Sequence, residues 1–196
     1  MRRLISWALV TVLALCAVLT VAFTEARKTP ATPATLKAAQ LSPSDLGNGW
    51  KVLELRAATA PATGGLLACP GSPTIAGPYS RAWFYKKNVR YEPSSVDVTI
   101  MQPSVGAQVV FDLLVRCILA KFVPGHLVPF HRTSAFDGLA QASTGATESE
   151  RDQTHSVIGW FVQGDDLVVV SYLGTAPLSQ VRQWAADAVA KAAANT

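Results

Sequence analysis

The hydrophobic pattern changes period several times along the chain, and each change marks an element. Residues 4–23, LISWALVTVLALCAVLTVAF, are apolar all round, without charge, proline or glycine. A helix of that length spans about 30 Å, enough to cross a bilayer's hydrocarbon core. Residues 95–101, SVDVTIM, alternate strictly: Val96, Val98 and Ile100 on one side, Asp97 and Thr99 on the other. That is the pattern of a half-buried strand. Residues 50–57 alternate well enough to predict a strand, and the aromatic-rich stretch that follows predicts another over 80–87.

From Pro103-Ser104 the period turns helical. Val110, Leu113, Leu114, Cys117 and Ile118 make an apolar face, and Gln108, Asp112 and Arg116 a polar one. This helix is expected to end near Phe122, before Pro124-Gly125. Residues 127–136 predict a strand interrupted by Pro129. Residues 155–163 and 167–173 flank the turn cluster Gly164-Asp165-Asp166 and predict a hairpin. Val168, Val169 and Val170 run consecutively, as in a central strand covered on both faces. Residues 177–193 close the chain as a helix, with Val181, Trp184, Ala185, Ala188 and Ala192 on its buried side.

Between these elements lie less regular stretches. Residues 42–50, SPSDLGNGW, predict one helical turn with Ser42 as N-cap and Pro43 in the first turn, stopped by glycines. Residues 24–40, TEARKTPATPATLKAAQ, read as an extended linker. Residues 58–78 and 137–153 read as loops. The order β-β-β-α-β-β-β-α predicts one α+β domain over 41–194. Its mainly antiparallel sheet is expected to carry two principal helices on one face.

Charge changes the reading of the N-terminus. Arg2 and Arg3 precede the apolar stretch, which favours a cytoplasmic start and a domain outside the membrane. Residues 1–23 are therefore either a signal anchor or a cleaved signal peptide. The protein is placed at the cell membrane as a single-pass chain, or secreted if the segment is cut. The chain carries +4 overall. Four of its 17 Lys/Arg and one of its 13 Asp/Glu precede residue 29, leaving 13 against 12 beyond it. The excess basicity sits beside the membrane, so no nucleic-acid partner is inferred.

Export also decides the cysteines. With Cys16 in the apolar segment, Cys69 and Cys117 remain, and an isolated pair outside the cytosol is expected to form a disulfide. Closing a loop of about 49 residues would contribute roughly 4 kcal/mol.

Candidate chemistry is sparse. His126, His131 and His155 lack the spacing of a helical zinc pair, so no metal is assigned. There is no G-x-S-x-G elbow and no phosphate-binding glycine loop, and no cofactor is implied. Asp165-Asp166 and the Glu148, Glu150, Asp152 series read as charged turns, not calcium loops. The aromatic residues carry more. Tyr79, Trp83, Tyr85 and Tyr91 are the candidate ligand-binding residues, with core packing as the competing role; Trp160 and Tyr172 are assigned to the core. The ligand is a small molecule, glycan or lipid. The alternative is an envelope protein acting by protein–protein contacts.

Several short motifs fall in a familiar order: Leu41-Ser42-Pro43-Ser44-Asp45-Leu46, then Gly49-Trp50, a Cys69 loop, Arg116-Cys117-Ile118, a valine-rich strand and an alanine-rich helix. This layout resembles the actinobacterial extracytoplasmic sensor-domain family, related to the extracellular domain of PknH-type receptor kinases. The resemblance implies an α+β domain with a cleft for an extracellular ligand. The chain has one cysteine pair where such kinase domains usually have two. It shows no kinase either, so sensing is expected to pass through a partner.

Overall fold

In a computed structural model, residues 30–59, 75–87, 93–119, 131–149 and 155–195 are described. Their backbone is organised by one seven-stranded antiparallel sheet. The strands are β1 (Lys51–Thr59), β2 (Pro78–Lys86), β3 (Ser94–Met101), β4 (His131–Thr133), β5 (Ala142–Ser149), β6 (His155–Gln163) and β7 (Asp166–Gly174). They lie in the order β1-β2-β3-β7-β6-β5-β4. Two meanders, one from each half of the chain, meet where β3 pairs with β7, with Val98 opposite Val170. The helices are α1 (Pro33–Ala38), α2 (Pro43–Leu46), α3 (Ala107–Leu119) and α4 (Leu178–Asn195). The α+β class and the mainly antiparallel sheet are as anticipated.

The helices differ from expectation in their placement. Val168, Val170 and Tyr172 of β7 pack with Val181, Trp184 and Ala188 of α4. Leu167 and Val169, pointing the other way, pack with Val110, Phe111 and Leu114 of α3. The two principal helices therefore cover opposite faces of the sheet, not one. The consecutive valines require this arrangement, because a strand apolar on both faces needs a layer on each.

Of the linker expected over 24–40, residues 30–40 are described, and a helix, α1, occupies Pro33–Ala38 of them. Thr32 and Thr35 cap each other's backbone N–H, and Pro33 takes the first position of α1. Proline reads as extended chain in a linker but is equally suited to a helix's first turn. Leu36 and Ala39 are fully buried in the α4-side core. Ser42 and Pro43 start α2 as the sequence suggests. Gln40 donates through Nε2 to the Ser80 carbonyl at 2.9 Å, tying this segment to β2.

The loop expected over 137–153 contains β5; of the strand expected over 127–136, residues 131–136 are described, and β4 takes His131–Thr133 of them. The sequence of β5, ASTGATES, has no apolar alternation. Its cover comes from elsewhere. Gly145 and Gly159 stand opposite each other on β5 and β6. A Cβ on Gly145 would lie 2.3 Å from the Phe136 ring, and one on Gly159 would lie 2.6 Å from Phe161. The bare backbone at these two positions lets Phe136 and Phe161 meet edge to face, 5.7 Å apart. Arg182 of α4 donates to the Ala135 carbonyl and holds this corner against the sheet.

Among the described residues no helix is long and apolar enough to cross a membrane. Residues 4–23 lie outside them, as does Cys69; the side chain of Cys117 lies outside as well.

Candidate functional site

The candidate site begins with the alternation of β2. Ser80, Ala82 and Phe84 point into the α4-side core and are fully buried. Tyr79, Arg81, Trp83 and Tyr85 share the opposite face. Three of the four proposed ligand-binding aromatics are thus brought onto one surface; Tyr91 lies outside the described residues. Side chains two apart on a strand are about 7 Å apart, so Trp83 and Tyr85 are neighbours while Tyr79 stands about 13 Å from Trp83. Tyr79 leans against the core under α3. Trp83 keeps 36% of its surface exposed, unusual for the largest side chain.

Register supplies the neighbours. Trp83 stands opposite Glu54 on β1 and Asp97 on β3. Arg81 Nε donates to Asp97 Oδ2 at 2.7 Å, and its terminal nitrogen donates to the same oxygen. The Asp97 carboxylate raises the guanidinium pKa, against the opposing effect of burial, and Glu54 adds attraction. Across β3 the same surface continues to Ser171 and Leu173 of β7. Over β5, β6 and the lower part of β7, α3 closes it, with Phe111 and Leu114 in one core with Trp160 of β6. What remains over β1–β3 is a surface patch with an exposed indole ring, half-buried phenol rings, two carboxylates and a guanidinium. Such a patch can stack a planar or ring-shaped ligand and hydrogen-bond its polar edges.

Trp160 and Tyr172 are both buried, but in different cores: Trp160 under α3 and Tyr172 under α4. Glu54 and Asp97 were not singled out from sequence. Alternation alone placed Asp97 on the outward side of β3, but only strand register sets it beside Trp83. Among the described residues no cluster of three or more His, Cys, Asp or Glu side chains is arranged to hold a metal.

No family model matches the sequence, and no curated protein matches it. A solved structure does. The crystal structure of the extracellular domain of PknH from Mycobacterium tuberculosis aligns with a TM-score of 0.59 at 13% identity. The alignment covers 83% of this chain and 97% of that one. The likeness is one of fold. It extends over nearly all of the kinase's extracellular domain, well beyond a shared hairpin or helix.

Proposed function

We propose that this chain is a membrane-anchored, extracytoplasmic, sensor-like domain that binds a ligand without transforming it. The observation that carries the reading is the fold shared with almost the whole extracellular domain of a receptor kinase. The apolar stretch 4–23 behind Arg2 and Arg3 supports the placement outside the membrane. The patch around Trp83, Tyr85, Arg81 and Asp97 supports the place of binding. Signalling then passes through a partner protein.

The test is titration of the full chain in detergent with envelope glycans, lipids and peptides, followed by tryptophan fluorescence and thermal shift. A ligand that raises Tm, and that binds at least tenfold more weakly to Trp83→Ala, is the expected result. No binding in any class, or binding indifferent to Trp83, Tyr85 and Arg81, would overturn the reading. A second reading is an envelope assembly protein working through protein contacts. The exposed Val52, Leu53 and Leu55 on β1 favour it.

A further inference from the structure

The two edges of the sheet are unlike. Among the described residues the β4 edge is three residues long, and short edges are a common protection against strand pairing. The β1 edge is nine residues long and contains no proline. One side of β1 pairs with β2; the other has no strand partner among the described residues. Beside the charged Lys51, Glu54 and Arg56 the strand carries exposed apolar side chains: Val52 is 43% exposed, Leu53 53% and Leu55 43%. A bulge between Val52 and Glu54 disturbs the start of the strand, but Glu54 to Thr59 run in unbroken register with β2.

Charge along this edge is unbalanced within one copy. Arg56 stands directly opposite Arg81, whose carboxylate partner is Asp97 on the far side. Like charges facing across a ladder destabilise it. The Arg56 guanidinium meets no carboxylate among the described residues, and neither does Glu54 meet a cation in an ion pair.

We propose that β1 pairs antiparallel with β1 of a second copy, about a two-fold axis at Leu55, to form one continuous sheet of two seven-stranded halves. The strand's own sequence selects the register. An axis at Glu54 sets Glu54 against its copy, and an axis at Arg56 sets Arg56 against its copy. An axis at Leu55 sets Glu54 opposite the second copy's Arg56, twice by symmetry, and Leu55 against itself on the other face. Each Arg56 then has a carboxylate on the side away from Arg81. The axis is perpendicular to the sheet, so both copies of α3 lie on one face and both copies of α4 on the other. This pairing goes beyond ligand binding and does not depend on it.

The test uses two differently tagged full-length copies, co-expressed, extracted in mild detergent and captured through one tag. Wild-type copies should co-purify. Glu54→Arg with itself sets arginine against arginine, and Arg56→Glu with itself sets glutamate against glutamate; each should lose at least tenfold of the captured partner. Glu54→Arg mixed with Arg56→Glu restores opposite charges at both positions and should co-purify like wild type. The double variant E54R/R56E should also pair with itself. Recovery in the mixed pair shows that both variants fold. A wild type that remains monomeric overturns the proposal and leaves the edge to a strand from another protein. Single variants that pair as well as wild type, or a mixed pair that is not restored, overturn it too.

Discussion

The two faces of the sheet are built differently. The α4 face is closed along most of its length. Leu36 from α1, Leu46 from α2, Trp50 and the whole inner side of α4 meet Phe84, Val98, Val170 and Tyr172 there. Trp184 is its centre, with Trp50 edge-on at 5.4 Å and Tyr172 tilted at 5.6 Å. The Tyr172 hydroxyl accepts from the Ala176 N–H at 2.5 Å, so even the polar tip is satisfied. The α3 face is closed over β5, β6 and part of β7 and exposed over β1 and β2. One face holds the fold together, and the other divides its area between holding and presenting. A domain that must offer a surface on a sheet gains from concentrating its packing behind that surface.

The largest effects should come from breaking the closed face. Trp184→Ala removes the centre of the aromatic group and should cost about 3–5 kcal/mol in denaturant unfolding. Trp83→Ala, on the open face, should cost less than about 1 kcal/mol in the same measurement. Equal losses from the two would mean that the faces are not divided in this way.

Next is the glycine corner. Gly145→Val forces a side chain into the Phe136 ring and should cost about 1–3 kcal/mol. Adding Phe136→Ala should make the valine's cost smaller than in the native background. A double-mutant cycle by thermal melting measures this coupling, and strict additivity would remove Phe136 from the account.

A smaller effect concerns pH. Asp45 is partly buried, which raises its pKa. The Lys191 ammonium at 2.5 Å and the N–H and hydroxyl of Ser42 outweigh that burial, so the carboxyl sits below its ordinary 3.8. A lowered folded-state value means the stabilisation is complete above about pH 4 and lost as pH falls through the folded value. Asp45→Asn should therefore cost about 0.2–1 kcal/mol at neutral pH, because the pair is partly exposed, and should flatten the acid limb of a Tm-against-pH curve.

The smallest stability effect should be at the open patch. Arg81→Ala or Asp97→Asn breaks an exposed ion pair, worth at most about 1 kcal/mol. Ligand titration should respond more strongly than unfolding. A variant that unfolds readily but binds normally would reverse the roles assigned to the two faces.

Much of the fold was legible because particular residues carry their structural reason with them. Val96, Val98 and Ile100 alternate, and β3 is where they place it. Ser42 and Pro43 begin a helical turn: the Asp45 carboxylate accepts from the Ser42 N–H and hydroxyl, and proline's fixed φ suits the first turn in any context. β5 was not legible. Its residues have no apolar period, and the ring of Phe136 that covers Gly145 comes from outside the strand. The candidate site was half legible. The aromatics Tyr79, Trp83 and Tyr85 were legible as candidates, but their common face follows from β2 beginning at Pro78, and the neighbours that give the patch its charge come from β1 and β3.

The sequence by itself determined the elements whose information is local: the apolar N-terminal stretch, the alternating strands, the helix faces and the caps. It also determined that β7 needs cover on both faces. Tertiary structure decided which helix covers which face, which half of the α3 face stays exposed, and that Glu54 and Asp97 flank Trp83. The physical reason is that burial and cross-strand pairing depend on residues far apart in the chain. Periodicity says which side of a strand points inward, but register and layering say what it meets there.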